Sequence, residues 1–177
     1  MTSFDSAADR ILEPLRNNKA SVALFGFAST IGDFSIVWHI VGLIRSIGSS
    51  ERFQQAVALS IALGIESLIV NQGIKRLFRR ERPTTSGDER FEVRTPSTSS
   101  FPSGHASSAT FAAIILTSFT GFPLAILWSI IALVVALSRV VVRIHHLSDI
   151  VGGIATGAVL GAIALPIITT VVAEFSC

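Results

Sequence analysis

Five stretches of this chain are apolar for longer than a water-soluble helix or strand needs. Residues 21–44 are interrupted only by Asp33 and His39, and residues 56–74 only by Glu66, Asn71 and Gln72; residues 106–120, 123–137 and 147–172 complete the set. Crossing hydrocarbon takes about 20 mostly apolar residues wound as a helix, because no backbone polar group can be left unpaired there. A soluble domain would scatter its apolar residues with a period of 2 or 3.6, whereas here they gather into blocks and the charges crowd between them. Half of the 177 residues are apolar and only 15% charged, with a mean hydropathy of +0.63, which excludes a disordered chain. The expected fold is therefore all-α, an integral membrane bundle of about five transmembrane helices, with residues 1–177 forming one membrane-embedded domain. The one cysteine, Cys177, ends the sequence, so neither a disulfide framework nor a thiolate metal site can form within one chain.

Each connection carries its own signal. Thr120-Gly121-Phe122-Pro123 reads as a compact turn that makes the third and fourth blocks a helical hairpin. Gly153, Gly157 and Gly161 repeat every four residues and line one face of the last block, a face suited to packing on another helix. Residues 1–19 place Phe4, Ala8, Ile11, Leu12 and Leu15 at helical spacing, as in a segment lying on the membrane surface, although Pro14 argues against one uninterrupted helix. No cleavable signal peptide is expected, so the first block should stay as an anchor. Five crossings put twelve Lys and Arg residues on the side holding the amino terminus, the 75–105 loop and the 139–146 link. The other side has only Arg45 and Arg52. Setting aside Lys75, Arg82 and Arg139 leaves nine against two, and the excess predicts a multi-pass cell-membrane protein whose polar loop is cytoplasmic.

Three polar clusters fall on that side, and each holds residue types suited to a phosphate ester. Lys75 and Arg82-Pro83 come first; if the second helix continues outward, both cations share a face and can grip a dianion. The arginines between them, Arg76, Arg79 and Arg80, read as anchors to lipid headgroups. Pro102-Ser103-Gly104-His105 comes second. Taken alone it reads first as a Ser N-cap, but a helix start also offers free N–H groups to an oxyanion and would aim His105 at it. Ser138-Arg139, His145 and Asp149 come third. The imidazole and carboxylate are four residues apart, so on a helix Asp149 can hold one ring nitrogen and leave the other free to attack. A carboxylate entering an apolar block needs such a partner.

Taken in order, Lys-x6-Arg-Pro, Pro-Ser-Gly-His and Ser-Arg-x5-His-x3-Asp resemble the signature of the type 2 phosphatidic acid phosphatase family, which is related to vanadium-dependent haloperoxidases. The resemblance covers residues 75–149 and the all-helical layout; the common plan has six helices where five spans are evident here. It implies that His145 attacks phosphorus to give a phosphohistidine, with Asp149 orienting its ring. His105 would protonate the departing alkoxide and later deprotonate water. Lys75, Arg82, Arg139, Ser103 and the Gly104 N–H would neutralise the phosphate oxygens, so neither a metal nor another cofactor is implied.

No Gly-x4-Gly-Lys-Ser/Thr loop, His-Glu-x2-His motif or Cys/His cluster is present. The expected partners are a membrane lipid phosphate and the bilayer, with no nucleic acid; the oligomeric state is left open. The expected substrate is a phosphomonoester or diphosphate of a membrane lipid, of the polyprenyl-linked phosphate, phosphatidylglycerol phosphate or phosphatidic acid type. Two alternatives use the same cations: a non-hydrolytic lipid-phosphate binder or transporter, and a vanadate-dependent haloperoxidase. His39 and His146 have no assigned role, and Asp33 and Glu66 are read as interhelix partners rather than lipid selectors.

Overall fold

A computed structural model describes residues 2–84, 88–94 and 96–175. In chain order the elements are α1 (Ser3–Arg16), α2 (Lys19–Gly32), a 3₁₀ turn (Asp33–Ser35), α3 (Ile36–Ser46), α4 (Ser50–Leu68), a π-helical segment (Ile69–Ile74) and the single turn α5 (Lys75–Leu77). After a long loop come α6 (Gly104–Thr120), α7 (Leu124–Val141) and α8 (Leu147–Phe175). The described residues contain no strand. Among the described residues four stretches are long and apolar enough to cross a membrane: Lys19–Ser46, Ser50–Leu77, Leu124–Val141 and Leu147–Phe175. The remaining block, α6, has 17 residues, or roughly 25 Å at 1.5 Å per residue.

Short as it is, α6 is the hub of the bundle. Ala106, Ala109, Ala112, Ile115 and Leu116 are fully buried on it, and its neighbours are α8, α7 and α4. The glycine face of α8 lies against it. A Cβ at Gly153 would stand 2.5 Å from the Ser103 carbonyl oxygen, and one at Gly157 would stand 2.2 Å from that of Ser107. Only glycine allows the two backbones to approach so closely. The hairpin turn forms as expected: Gly121 takes φ 65° and ends α6, and α7 begins at Leu124. Around this centre the apolar surface turns outward, with Leu43, Ile61, Ile130 and Val159 more than half exposed. That inverted pattern suits a hydrocarbon solvent.

Helix starts follow the capping rules. Asn18 Oδ1 accepts the N–H groups of Ala20 and Ser21, the Ser49 hydroxyl accepts that of Arg52, and the Ser103 hydroxyl accepts that of Ala106. The first block is not one continuous helix. Phe34 and Ser35 both take left-handed backbone angles, φ 52° and 61°, which breaks it after Gly32.

The amino-terminal segment differs from expectation in one respect: α1 runs unbroken through Pro14 to Arg16. Pro14 lies in the last turn, so few backbone bonds are at stake, and Arg16 fastens that end. The buried guanidinium donates to the Val141 and Val140 carbonyls at 2.8 and 3.1 Å, capping the carboxyl end of α7. Asp5, near the other end of α1, accepts the Ser148 N–H at 3.0 Å and so caps the start of α8. Leu12 and Leu15 pack inward while Phe4 and Ile11 remain exposed. By this arrangement α1 clamps the link between α7 and α8 from both sides.

Candidate active site

Lys75 ends the second block, where the π-helical segment delivers it inward to only 6% exposure. A Cβ added to Gly104 would stand 3.6 Å from Lys75 Nζ and 3.3 Å from Asn71 Oδ1. The ammonium therefore sits against the amino-terminal end of α6, where free N–H groups and the helix dipole favour an anion. Arg82 does not share a helix face with Lys75, contrary to the sequence expectation. The helix stops at Leu77 because the following backbone finds partners elsewhere. The Arg80 N–H donates to the Ser99 hydroxyl at 3.2 Å, its carbonyl accepts the Ser100 N–H at 2.9 Å, and the Phe78 ring meets Phe101 edge-on. Arg82 instead arrives from the loop, donating to the Ile144 carbonyl at 3.0 Å and standing 3.3 Å from His145 Nε2.

The His145 and Asp149 pair forms, though not on a single helix face. Helix α8 starts at Leu147, with His145 just ahead of it and Asp149 in its first turn. Asp149 Oδ2 accepts the His146 N–H at 2.8 Å and lies 3.5 Å from His145 Nδ1. Arg82, always a donor, faces Nε2, so Nδ1 carries the proton and the lone pair lies on Nε2. Burial keeps the imidazole from protonating and lowers its pKa, and the charges of Arg82, Arg139 and Lys75 add to this while Asp149 opposes them.

Two residues tighten the pair that the motifs do not contain. The Ser100 hydroxyl donates to Asp149 Oδ2 at 2.5 Å and stands 3.3 Å from His145 Nδ1. Arg80, expected at lipid headgroups, instead donates to Asp149 Oδ1 at 2.6 Å, the Ser148 hydroxyl at 2.7 Å and Asp5 Oδ2 at 2.7 Å. Arg76 and Arg79 remain exposed.

Arg139, 1% exposed in the last turn of α7, joins the two histidines. Its carbonyl accepts the His145 N–H at 3.0 Å. Its guanidinium donates to the Ser29 hydroxyl, and the Ser29 carbonyl lies 3.2 Å from His105 Nε2. The second and third motifs also meet directly, with the Ser103 N–H donating to the Asp149 carbonyl at 3.0 Å. Among the described residues, Arg82 Nε and Arg139 Nε and Nη2 are buried without a hydrogen-bond partner. A cleft of about 790 Å³ opens beside Arg82, which lines it with Lys75, Arg79, Arg80, Thr98 and Ser99. His145 lines a smaller cavity of about 240 Å³ facing α1. Glu66 accepts a hydrogen bond from the Ser107 hydroxyl, His39 Nδ1 lies 2.9 Å from Ser60 Oγ, and Asp33 faces His105. No group of three or more His, Cys, Asp or Glu side chains among the described residues is arranged to hold a metal ion.

A membrane bundle that gathers the buried Lys75 and Arg139, the half-buried Arg82 and two imidazoles at one end is the architecture of an integral membrane phosphatase. Residues 55–172 match the PAP2 superfamily, and the chain belongs to it. It is 36% identical over 135 residues to a decaprenylphosphoryl-5-phosphoribose phosphatase of Mycobacterium tuberculosis (strain ATCC 25618 / H37Rv), covering 76% of this chain and 73% of that one. The protein of the same description from Mycolicibacterium smegmatis is 46% identical over 127 residues, covering 71% and 67%. The crystal structure of a transmembrane PAP2-type phosphatidylglycerolphosphate phosphatase from Bacillus subtilis superposes with a TM-score of 0.67 at 20% identity, over 98% of this chain and 88% of that one. That likeness is one of fold.

Proposed function

We propose that the chain hydrolyses a phosphate ester carried by a membrane lipid, without a metal, through a phosphohistidine. His145 Nε2 attacks phosphorus while the bond to the leaving oxygen breaks, and His105 gives that oxygen a proton. Water then attacks phosphorus, His105 taking its proton, as the phosphorus–nitrogen bond breaks; inorganic phosphate leaves and the imidazole is restored. Lys75, Arg82 and Arg139, with Ser103 and the Gly104 N–H, offset the charge on the phosphoryl oxygens, which is the main requirement of phosphoryl transfer.

The observation that carries this reading is the set of buried guanidinium N–H groups on Arg82 and Arg139 that find no protein acceptor among the described residues. Buried donors of this kind are costly unless an anion receives them. The two mycobacterial relatives favour a polyprenyl-linked sugar phosphate over phosphatidylglycerol phosphate or phosphatidic acid. The uneven distribution of lysine and arginine supports a site opening to the cytoplasm.

The test is a panel of lipid phosphates assayed with detergent-solubilised protein. Phosphate release is expected to resist EDTA, to be inhibited by vanadate and to vanish in His145→Ala. Turnover that depends on added metal, or that survives His145→Ala, overturns the mechanism. Binding without release would favour a carrier.

A further inference from the structure

Asp33 and its surroundings belong to none of the three motifs and lie ahead of the matched residues 55–172. Yet the first block is broken where Asp33 stands. After Gly32 the backbone of Asp33 becomes extended (ψ 134°), and Phe34 and Ser35 follow in the left-handed region. Two consecutive non-glycine residues in that region are costly and persist only where the surroundings hold them. Arg94 of the long loop does so from outside, with its guanidinium 5.0 Å from the centre of the Phe34 ring. The break turns the Asp33 carboxylate toward α6, where Oδ1 lies 3.2 Å from His105 Nε2.

The ring is seated as well as faced. A Cβ on Gly32 would stand 2.6 Å from His105 Cδ2, so only glycine lets the imidazole lie against the α2 backbone. The Ser29 carbonyl is the second acceptor at Nε2, also at 3.2 Å. A nitrogen that faces a carbonyl and a carboxylate carries a proton whether the ring is neutral or charged. Nδ1 is then the nitrogen that exchanges a proton with substrate. Ser29 also holds the Arg139 guanidinium, so this stretch of α2 sets a phosphate ligand and the proton donor together.

We infer that Asp33 is a positioning residue for His105: it fixes the ring with Nε2–H toward α2, leaves Nδ1 to the leaving oxygen, and stabilises the imidazolium that donates the proton. The inference rests on the acid–base role given to His105 above.

The experiment compares wild type, Asp33→Asn, His105→Ala and the double variant on phosphatidic acid in mixed micelles and on 2,4-dinitrophenyl phosphate, whose leaving group needs no proton. For Asp33→Asn, kcat on phosphatidic acid is expected to fall on the order of thirtyfold with KM little changed. The first release of dinitrophenol, about one per enzyme, should keep its wild-type rate. Adding Asp33→Asn to His105→Ala should cost nothing more, since the two act as a unit. Equal losses on both substrates, additive losses, or an unimpaired Asp33→Asn overturn the inference. Imidazole ¹⁵N spectra of the wild type, with His105 assigned by its absence in His105→Ala, provide a readout independent of turnover. The Nε2–H tautomer is expected, and an Nδ1–H tautomer overturns the pairing even if no phosphate is released, whereas failure of release alone would fall on the phosphatase reading.

Discussion

Arg80 holds the carboxylate that faces the His145 imidazole: its Nη1 lies 2.6 Å from Asp149 Oδ1 while Oδ2 lies 3.5 Å from His145 Nδ1. The two oxygens are thereby divided between a cation and the ring, so the plane of the carboxylate is set from the loop. Arg80→Ala is expected to lower kcat about tenfold to a hundredfold, or roughly 1.4–2.7 kcal/mol, with KM changed much less because its guanidinium is already taken up by Asp149, Asp5 and Ser148. Arg80→Lys should recover only part of the loss, since an ammonium cannot span two carboxylates as a planar guanidinium does. Steady-state kinetics on a lipid phosphate decides it, and a rise in KM at constant kcat would count against it.

Asp5 carries the same network to the amino-terminal helix, and its charge is a stability element. Burial by itself would raise its pKa, but the Ser148 N–H and hydroxyl, Thr2 and Arg80 outweigh it and hold the carboxyl well below the usual range. A carboxylate lowered in the folded protein contributes stability in full above its unfolded value, and loses it as pH falls through that value toward the folded one. Asp5→Asn should cost about 1–3 kcal/mol at pH 7. Its Tm deficit should shrink as the pH drops below about 3.8. Thermal unfolding in detergent across pH reads both effects.

The bundle was legible in the sequence because solvent dictates it: a bilayer demands uninterrupted apolar helices, and their lengths, the Gly121 turn and the α8 glycine face can be read from composition and spacing. The motif residues were legible because each cluster begins or ends a helix at the same side. What composition cannot express is which of several like residues meets which partner. Arg76, Arg79 and Arg80 have one chemistry and one apparent location, yet only Arg80 is drawn inward, by Asp5 from 75 residues away and by Asp149 from 69. Ser100 ends a Ser/Thr-rich tract and looks like spacer until its hydroxyl is seen at Asp149. The expectation that Lys75 and Arg82 lie along one helix failed because the Arg80 backbone pairs with Ser99 and Ser100, and no local signal marks that competition. The break at Phe34 and Ser35 is equally silent, since neither residue prefers left-handed angles.

The glycine face gives a graded expectation. Gly157→Ala sets a methyl 2.2 Å from the Ser107 carbonyl, a rigid backbone atom, so α8 must move away from α6. It is expected to cost about 1–3 kcal/mol and to lower activity, because α6 carries His105 and α8 carries Asp149. Gly161→Ala meets only the end of Ile114 at 3.0 Å, a side chain that can turn aside. Its effect should stay within about 1 kcal/mol. Equal melting temperatures for the two variants would mean that the helices do not pack as described.

The site's electrostatics set the last expectation, the acid limb of the rate profile. An imidazole that attacks phosphorus, as proposed for His145, must be unprotonated, and burial with Arg82, Arg139 and Lys75 nearby keeps it neutral below its ordinary range, against the pull of Asp149. With 2,4-dinitrophenyl phosphate, kcat/KM should therefore hold level from pH 7 to about 5.5, below the ordinary imidazole value. Arg82→Gln removes the nearest cation, 3.3 Å from Nε2, and should weaken binding and move the limb upward together. A wild-type limb centred near the ordinary imidazole value would mean that water reaches His145 freely, and the cations would then be too well screened to act on the phosphate as proposed.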